Sequence, residues 1–251
     1  MTPPVSDDDL YLLATINRHR ASDDDSTTHR LRRLIASLLR RWTYSNHLES
    51  VTVSGSHAKA TALRDSDLDL FLSLSPSTPG PVSSIHASLA GHFRGCLPLT
   101  RNVSVRIMFE GAGIDLVPGR RRPDSTVHTL WQSRYATWLQ TDIAAQARFV
   151  LHSGLVNEIL ALKLWRRRNA LRFPSFLMEL ATIHALAPNR PISESFLSLL
   201  RFLATGFRAT RLIDPANSNN VVSDLLTPDE KSRIAIAAAM SLRAPSWPEI
   251  I

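Results

Sequence analysis

The sequence predicts an α+β protein built as a sheet lobe over residues 1–125 followed by a helical lobe over residues 126–251, with the functional site in a cleft the two lobes share. Three observations predict this. Segments of strand composition are confined to the stretch from Leu48 to Gly119. After Pro123 the pattern changes to long helical repeats. A chain of 251 residues, 44% apolar and 20% charged, can bury a core in one large domain or two small ones.

The elements follow in chain order. Between the acidic runs Asp7 to Asp9 and Asp23 to Asp25, Leu10, Leu12, Leu13 and Ile16 recur at helical spacing and predict a short helix. From Thr28 to Trp42, Leu31, Ile35, Leu38, Leu39 and Trp42 line one face, and the arginines around them read as a solvated face. LESVTVSGS predicts a strand ending in a Gly-Ser turn, and LDLFLSL from Leu68 to Leu74 alternates as its partner. SPSTPGPVSS is a loop, IHASLAGHF a helix, and VSVRIMFEGAGIDLVPG two short strands parted by glycine. Helices are predicted over TLWQSRYATWLQ, Ile143 to Arg168, SFLMELATIHAL, SESFLSLLRFLATGF, and Pro228 to Leu242, with Pro174 and Pro191 as boundaries.

Composition narrows the function classes. No apolar stretch approaches the roughly 18 residues of a membrane span, and the N-terminus lacks a secretory pattern, so a cytoplasmic address with no membrane partner is expected. The single cysteine, Cys96, excludes an internal disulfide and a cysteine-rich metal site, and reads as a small buried hydrophobe. A net charge of +7 favours polyanionic ligands such as nucleoside triphosphates or RNA. Only Lys59, Lys163 and Lys231 are lysines, which makes each informative.

The chemistry centres on GSHAKATALRDSDLDLFL. Residues i and i+2 of a strand share a face, so Asp67 and Asp69 project together while Leu68 and Leu70 enter the core. Asp115, in GIDLVPG, lies on another short apolar strand and can complete a trio. Such carboxylates suit Mg²⁺ or Mn²⁺, and two ions held together serve phosphoryl transfer. Asp-x-Asp alone would more often be a solvated turn; the Gly-Ser turn upstream, the apolar spacing and Asp115 argue otherwise.

The stretch SGSHAKATALRDSDLDLFLSL resembles the DNA polymerase β-like nucleotidyltransferase superfamily, which includes CCA-adding enzymes, oligoadenylate synthases and bacterial cGAS/DncV-like members. IDLVPGR is similar to its third-aspartate strand, NEILALKLWRR to its lysine-bearing helix, FPSFLMELA to the serine-bearing helix after it, and LIDPANSNNVVSDL to an Asp-Pro…Asn stretch of oligoadenylate-synthase-like and archaeal CCA-adding members. The matches run from about residue 50 to residue 240. The resemblance implies Asp67, Asp69 and Asp115 as catalytic metal ligands for two Mg²⁺ or Mn²⁺ ions. It also implies Gly55, Ser56, Lys163 and Ser175 as contacts to the triphosphate of a bound nucleoside triphosphate.

Other residues have local explanations beside functional ones. A snorkelling lysine is the alternative for Lys163 and a helix N-cap a compatible role for Ser175. Thr61 is given no role beyond a local hydroxyl bond. Asp214, Asn217 and Asn220 read as a structural loop, Tyr135, Trp138 and Trp165 as core, and His57 and Lys59 as secondary contacts outside the catalytic set. The resemblance is greatest to the bacterial cGAS/DncV-like group and implies cyclic or linear oligonucleotide messengers of antiviral defence. The alternatives are nucleotide addition to an RNA or tRNA 3′ end, and a toxin-like enzyme modifying tRNA or protein. RNA is thus an acceptor or activator to consider, and oligomeric state is left open.

Overall fold

The computed structural model describes residues 6–22 and 26–251; the acidic run at 23–25 lies outside the described residues. The first half holds α1 (Asp7–His19), α2 (Ser26–Leu38), β1 (Leu48–Val53), α3 (Gly55–Ala58), β2 (Leu68–Leu74), α4 (Val82–His92), β3 (Leu99–Thr100), β4 (Val105–Phe109) and β5 (Ala112–Arg121). Then come β6 (His128–Gln132), β7 (Thr137–Thr141), α5 (Ile143–Leu151), α6 (Val156–Arg168), α7 (Ser175–Ala185) and α8 (Ile192–Thr205). The hairpin β8 (Ile213–Asp214) and β9 (Asn217–Val221), α9 (Pro228–Ser241) and α10 (Trp247–Ile250) close the order.

Two compact units divide these elements. One takes Ser22–Lys59 and Asp65–Ala147; the other takes the described residues up to Ala21, then Ala60–Arg64 and Arg148–Ile251. The units are not consecutive halves. Leu12 and Ile16 of α1 are fully buried in the core of the helical unit, so the first helix joins the elements that come last.

The sheet unit is a mixed sheet of seven strands in the order β1-β2-β5-β4-β3, extended by β6 on β5 and β7 on β6. β1 and β2 pair antiparallel, as their alternation predicts, while β2 and β5 run parallel. Leu68, Leu70, Leu72 and Leu74 point into one core with Ile114, Leu116, Val105 and Ile107, and α2 and α4 contribute Leu31, Ile35, Ile85 and Leu89 to it. The odd positions of β2 take the opposite face, where Phe71 and Ser73 are also buried and Asp69, at the strand's start, marks the chemistry.

Two expected helical stretches differ. TLWQSRYATWLQ forms the β6–β7 hairpin, with Trp131 opposite Trp138, because its threonines and aromatics alternate around a turn at Ala136 that has φ 48°. The run from Ile143 to Arg168 is broken by Gly154 at φ 68° into α5 and α6.

The helical unit packs α6, α7 and α8 around Leu160, Trp165, Leu177, Phe196 and Leu203, all at most 1% exposed. The capping box of Thr227 and Glu230, with Pro228 in the first turn, starts α9 where the sequence places it. No helix among the described residues is long and apolar enough to cross a membrane.

Candidate active site

The register of the sheet assembles the site. Asp69 on β2 stands directly beside Asp115 on β5, and Asp115 stands beside Arg106 on β4, so two carboxylates and a guanidinium form one row across three strands. Asp67 lies one residue before β2 and joins the row through Arg106. The neighbours of these residues in sequence, Leu68, Leu70, Ile114, Leu116, Val105 and Ile107, are core residues, which fixes the faces of all three strands.

Two glycines let the carboxylates come close to backbone. Gly55, at φ 60°, follows β1 in the turn where the amide of Ser54 donates to the Asp69 carbonyl at 2.8 Å. A Cβ on Gly55 would fall 1.9 Å from Asp69 Oδ2, and one on Gly113 would fall 2.6 Å from Asp67 Oδ1. Only glycine leaves room for an acid at each place. Ser56 and His57 follow in α3, and His57 Nε2 is a buried nitrogen with no hydrogen-bond partner.

The three acids differ in environment. Asp115 is 6% exposed; its Oδ1 accepts from Ser104 Oγ at 3.2 Å and Arg106 Nε at 3.2 Å, and its Oδ2 from Arg106 Nη2 at 2.5 Å. Arg101 adds a more distant charge, 3.8 Å from Asp115 Oδ1. Asp67 is more open and also accepts from Arg106 Nη2. Asp69 has its pKa pushed up to about 6, first by burial and then by the charges of Asp115 and Asp67, against the pull of Lys59 and Arg106. Arg106, hydrogen-bonded to Asp115 and Asp67, holds its proton more firmly than a free guanidinium.

Among the described residues no group of three or more His, Cys, Asp or Glu side chains stands gathered as a ready metal cage. The donor set nonetheless fits hard divalent ions. Three carboxylates supply oxygen, and the burial and mutual repulsion around Asp69 favour added positive charge.

Lys163 and Ser175 fall in the helical unit. Lys163 is 3% exposed, and its Nζ donates to Thr61 O at 2.7 Å and Thr61 Oγ1 at 2.9 Å, with Glu179 Oε1 at 3.7 Å. It is not a snorkelling lysine. It anchors Ala60–Arg64, the stretch of chain that joins the Gly-Ser turn to the aspartates, and Thr61 also donates to Glu179 Oε1 at 3.2 Å instead of to local backbone. Ser175 is exposed in the first turn of α7; Pro174, not Ser175, holds the N-cap position, and Ser175 Oγ lies 3.5 Å from Arg166 Nη1.

The Asp214 hairpin is structural, as its turn chemistry implies: Asp214 Oδ1 accepts from the Ala216 amide at 2.9 Å, and Oδ2 from Asn220 Nδ2 at 3.1 Å. Trp165 is core, donating to Ser241 Oγ at 2.9 Å, whereas Tyr135 and Trp138 are exposed on the β6–β7 hairpin. Cys96 is half-buried against the sheet core.

No protein-family model and no curated protein sequence matches the chain. Solved structures do. The ATP complex of CdnC from E. coli MS115-1 aligns over 94% of this chain and 93% of its own, at 22% identity and TM-score 0.75. CdnG from Bradyrhizobium diazoefficiens, a CD-NTase in complex with GTP, aligns over 95% and 91% at 13% identity and TM-score 0.73. The Cid1 poly(U) polymerase aligns over 96% and 95% at 13% identity and TM-score 0.68. All three are polymerase-β-like nucleotidyltransferases.

The chain has the polymerase-β-like nucleotidyltransferase fold.

Within this nucleotidyltransferase fold, the structure brings together Gly55, Asp67, Asp69 and Asp115 as the sequence implies. Sequence reasoning missed Arg106. Its signal was available: in Val105-Arg106-Ile107 the arginine alternates with two core residues and therefore faces away from the core, on the face of the acids.

Proposed function

We propose that this protein is a metal-dependent nucleotidyltransferase that transfers a nucleoside monophosphate from a nucleoside triphosphate to a hydroxyl, releasing pyrophosphate. The observation that carries the reading is the row of Asp69 and Asp115 on neighbouring parallel strands, with Asp67 beside it and the Gly55 turn against Asp69. Structural carboxylates would be paired one to one, whereas here Asp67 and Asp115 share a bridging arginine and Asp69 is raised to about 6, first by burial and then by the charges of Asp115 and Asp67.

In this reading Asp67, Asp69 and Asp115 would hold two Mg²⁺ or Mn²⁺ ions, which supply charge neutralisation to the triphosphate and the attacking oxygen. The acceptor oxygen bonds to the α-phosphorus as the bond to the β-phosphate bridging oxygen breaks. Asp115, held by Ser104, would face the attacking hydroxyl, and Gly55 and Ser56, with His57 beside them, would face the phosphates. Catalysis then rests on positioning and electrostatics.

For the product, we favour cyclic or linear oligonucleotide messengers made in the cytoplasm as part of antiviral defence. The similarity to CdnC and CdnG over more than nine-tenths of each chain supports this, as does the net charge of +7, suited to nucleotide polyanions. The likeness to Cid1, a poly(U) polymerase, supports addition to an RNA 3′ end as the second reading. Incubation with each α-³²P nucleoside triphosphate and Mg²⁺ or Mn²⁺, with and without RNA, separates them. Phosphatase-resistant small products are the expected result; label found only on RNA establishes the second reading; no incorporation with any nucleotide or acceptor contradicts both.

A further inference from the structure

We infer that Arg106 is an internal cation that guards the carboxylate site, and that a divalent ion bridging Asp67 and Asp115 enters only by displacing the Arg106 guanidinium. The inference rests on the reading of the aspartates as metal ligands.

The geometry is specific. Nη2 of Arg106 is 2.5 Å from Asp115 Oδ2 and also donates to Asp67 Oδ2, so one nitrogen occupies the point shared by the two oxygens. A divalent ion held by both Asp67 and Asp115 would compete with Arg106 for these carboxylate oxygens and for the space Nη2 fills between them. The two cannot coexist there. Arg106 is also well placed to yield: its Nε keeps a second bond to Asp115 Oδ1 at 3.2 Å, and its side chain is 19% exposed. Asp115 would keep Ser104 at 3.2 Å as a partner after the exchange.

Charge points the same way. Arg106 sets a single +1 guanidinium between two carboxylates, a weaker electrostatic match than a +2 ion would be. Arg106 therefore keeps Asp67 and Asp115 together and solvated by protein while setting the ion concentration at which the site fills. A support with no such competition would show the opposite sign when removed, because loosened carboxylates bind ions less well.

Titration of the full chain with Mn²⁺ alone, following the electron paramagnetic resonance signal of free ion, tests this on wild type, Arg106→Gln and Asp67→Asn. The expected result is Mn²⁺ binding about tenfold tighter in Arg106→Gln and largely lost in Asp67→Asn. Binding in Arg106→Gln equal to or weaker than wild type, with Asp67→Asn impaired, overturns the guarding role and leaves the metal reading standing. Wild-type affinity in Asp67→Asn overturns the metal reading and the inference with it. Should Arg106→Gln fail to fold by circular dichroism, Arg106→Lys replaces it. That variant keeps the charge but lacks the fork, and binding severalfold tighter than wild type is expected; unchanged or weaker binding overturns the inference.

Discussion

The two units of this molecule each hold a cluster of charge, and they treat it in opposite ways. In the helical unit Lys163, Glu179 and Thr61 are each at most 3% exposed and answer one another within hydrogen-bond or ion-pair distance. In the sheet unit Asp67 and Asp115 share one bridging arginine, Asp67 is open to solvent, and Asp69 is held at a raised pKa by burial and by the charges of the other two acids. The first arrangement is satisfied and buried, which is how charge serves a fold. The second is frustrated and opens to solvent at Asp67, which is how charge serves chemistry.

Breaking the frustrated cluster should cost activity and spare the fold. Asp67→Asn or Asp115→Asn is expected to lower turnover on the order of 10³-fold or more with an unchanged circular dichroism spectrum. Breaking the satisfied cluster should do the reverse. Lys163→Met strands Glu179 in the core and is expected to destabilise the chain by about 3–5 kcal/mol in urea unfolding, with much of the loss recovered in Lys163→Met/Glu179→Leu. A double variant as unstable as the single one would show that the pair is not what Lys163 serves.

Smaller effects sharpen the contrast. Gly55→Ala places a Cβ 1.9 Å from Asp69 Oδ2, and an acid displaced by about 1 Å is expected to cost on the order of 10²-fold in turnover. Wild-type kinetics in Gly55→Ala would detach the turn from the site. The raised pKa of Asp69 has a stability consequence without added metal. Because the folded state holds this proton up to about pH 6, while an unfolded chain releases it near the ordinary aspartate value of 3.8, the wild type loses stability as pH rises through that window. Asp69→Asn lacks this loss, so above pH 6 it should be more stable than wild type by roughly 1–3 kcal/mol, with the advantage fading toward pH 4. Parallel unfolding curves in EDTA across that range check it.

The contrast also explains what could be read from sequence. Asp67, Asp69 and Asp115 were legible because their alternation with leucine and isoleucine is local, and a strand turns a two-residue period into a shared face. The register that sets Asp69 beside Asp115 was not, since it depends on a parallel pairing across more than forty residues of chain. Arg106 was hidden among many arginines, although its place between Val105 and Ile107 carried a signal. Lys163 stood out for its rarity, but its partners Thr61 and Glu179 are distant in sequence, and the burial that makes the three a structural cluster has no local mark. Across the β6–β7 hairpin Trp131, Tyr135 and Trp138 also satisfy helical spacing, so the sequence alone favours a helix; Ala136 in the left-handed turn decides for strands.

The most direct test of the central claim is pyrophosphate release by purified protein supplied with the four nucleoside triphosphates, an RNA acceptor and Mg²⁺ or Mn²⁺, compared with Asp69→Asn at pH 7.5. Metal-dependent release by wild type, stopped by EDTA and reduced on the order of 10³-fold in the folded variant, is expected. Equal release by wild type and Asp69→Asn would contradict the claim, because the row of carboxylates on β2 and β5 would then not be where the reaction takes place.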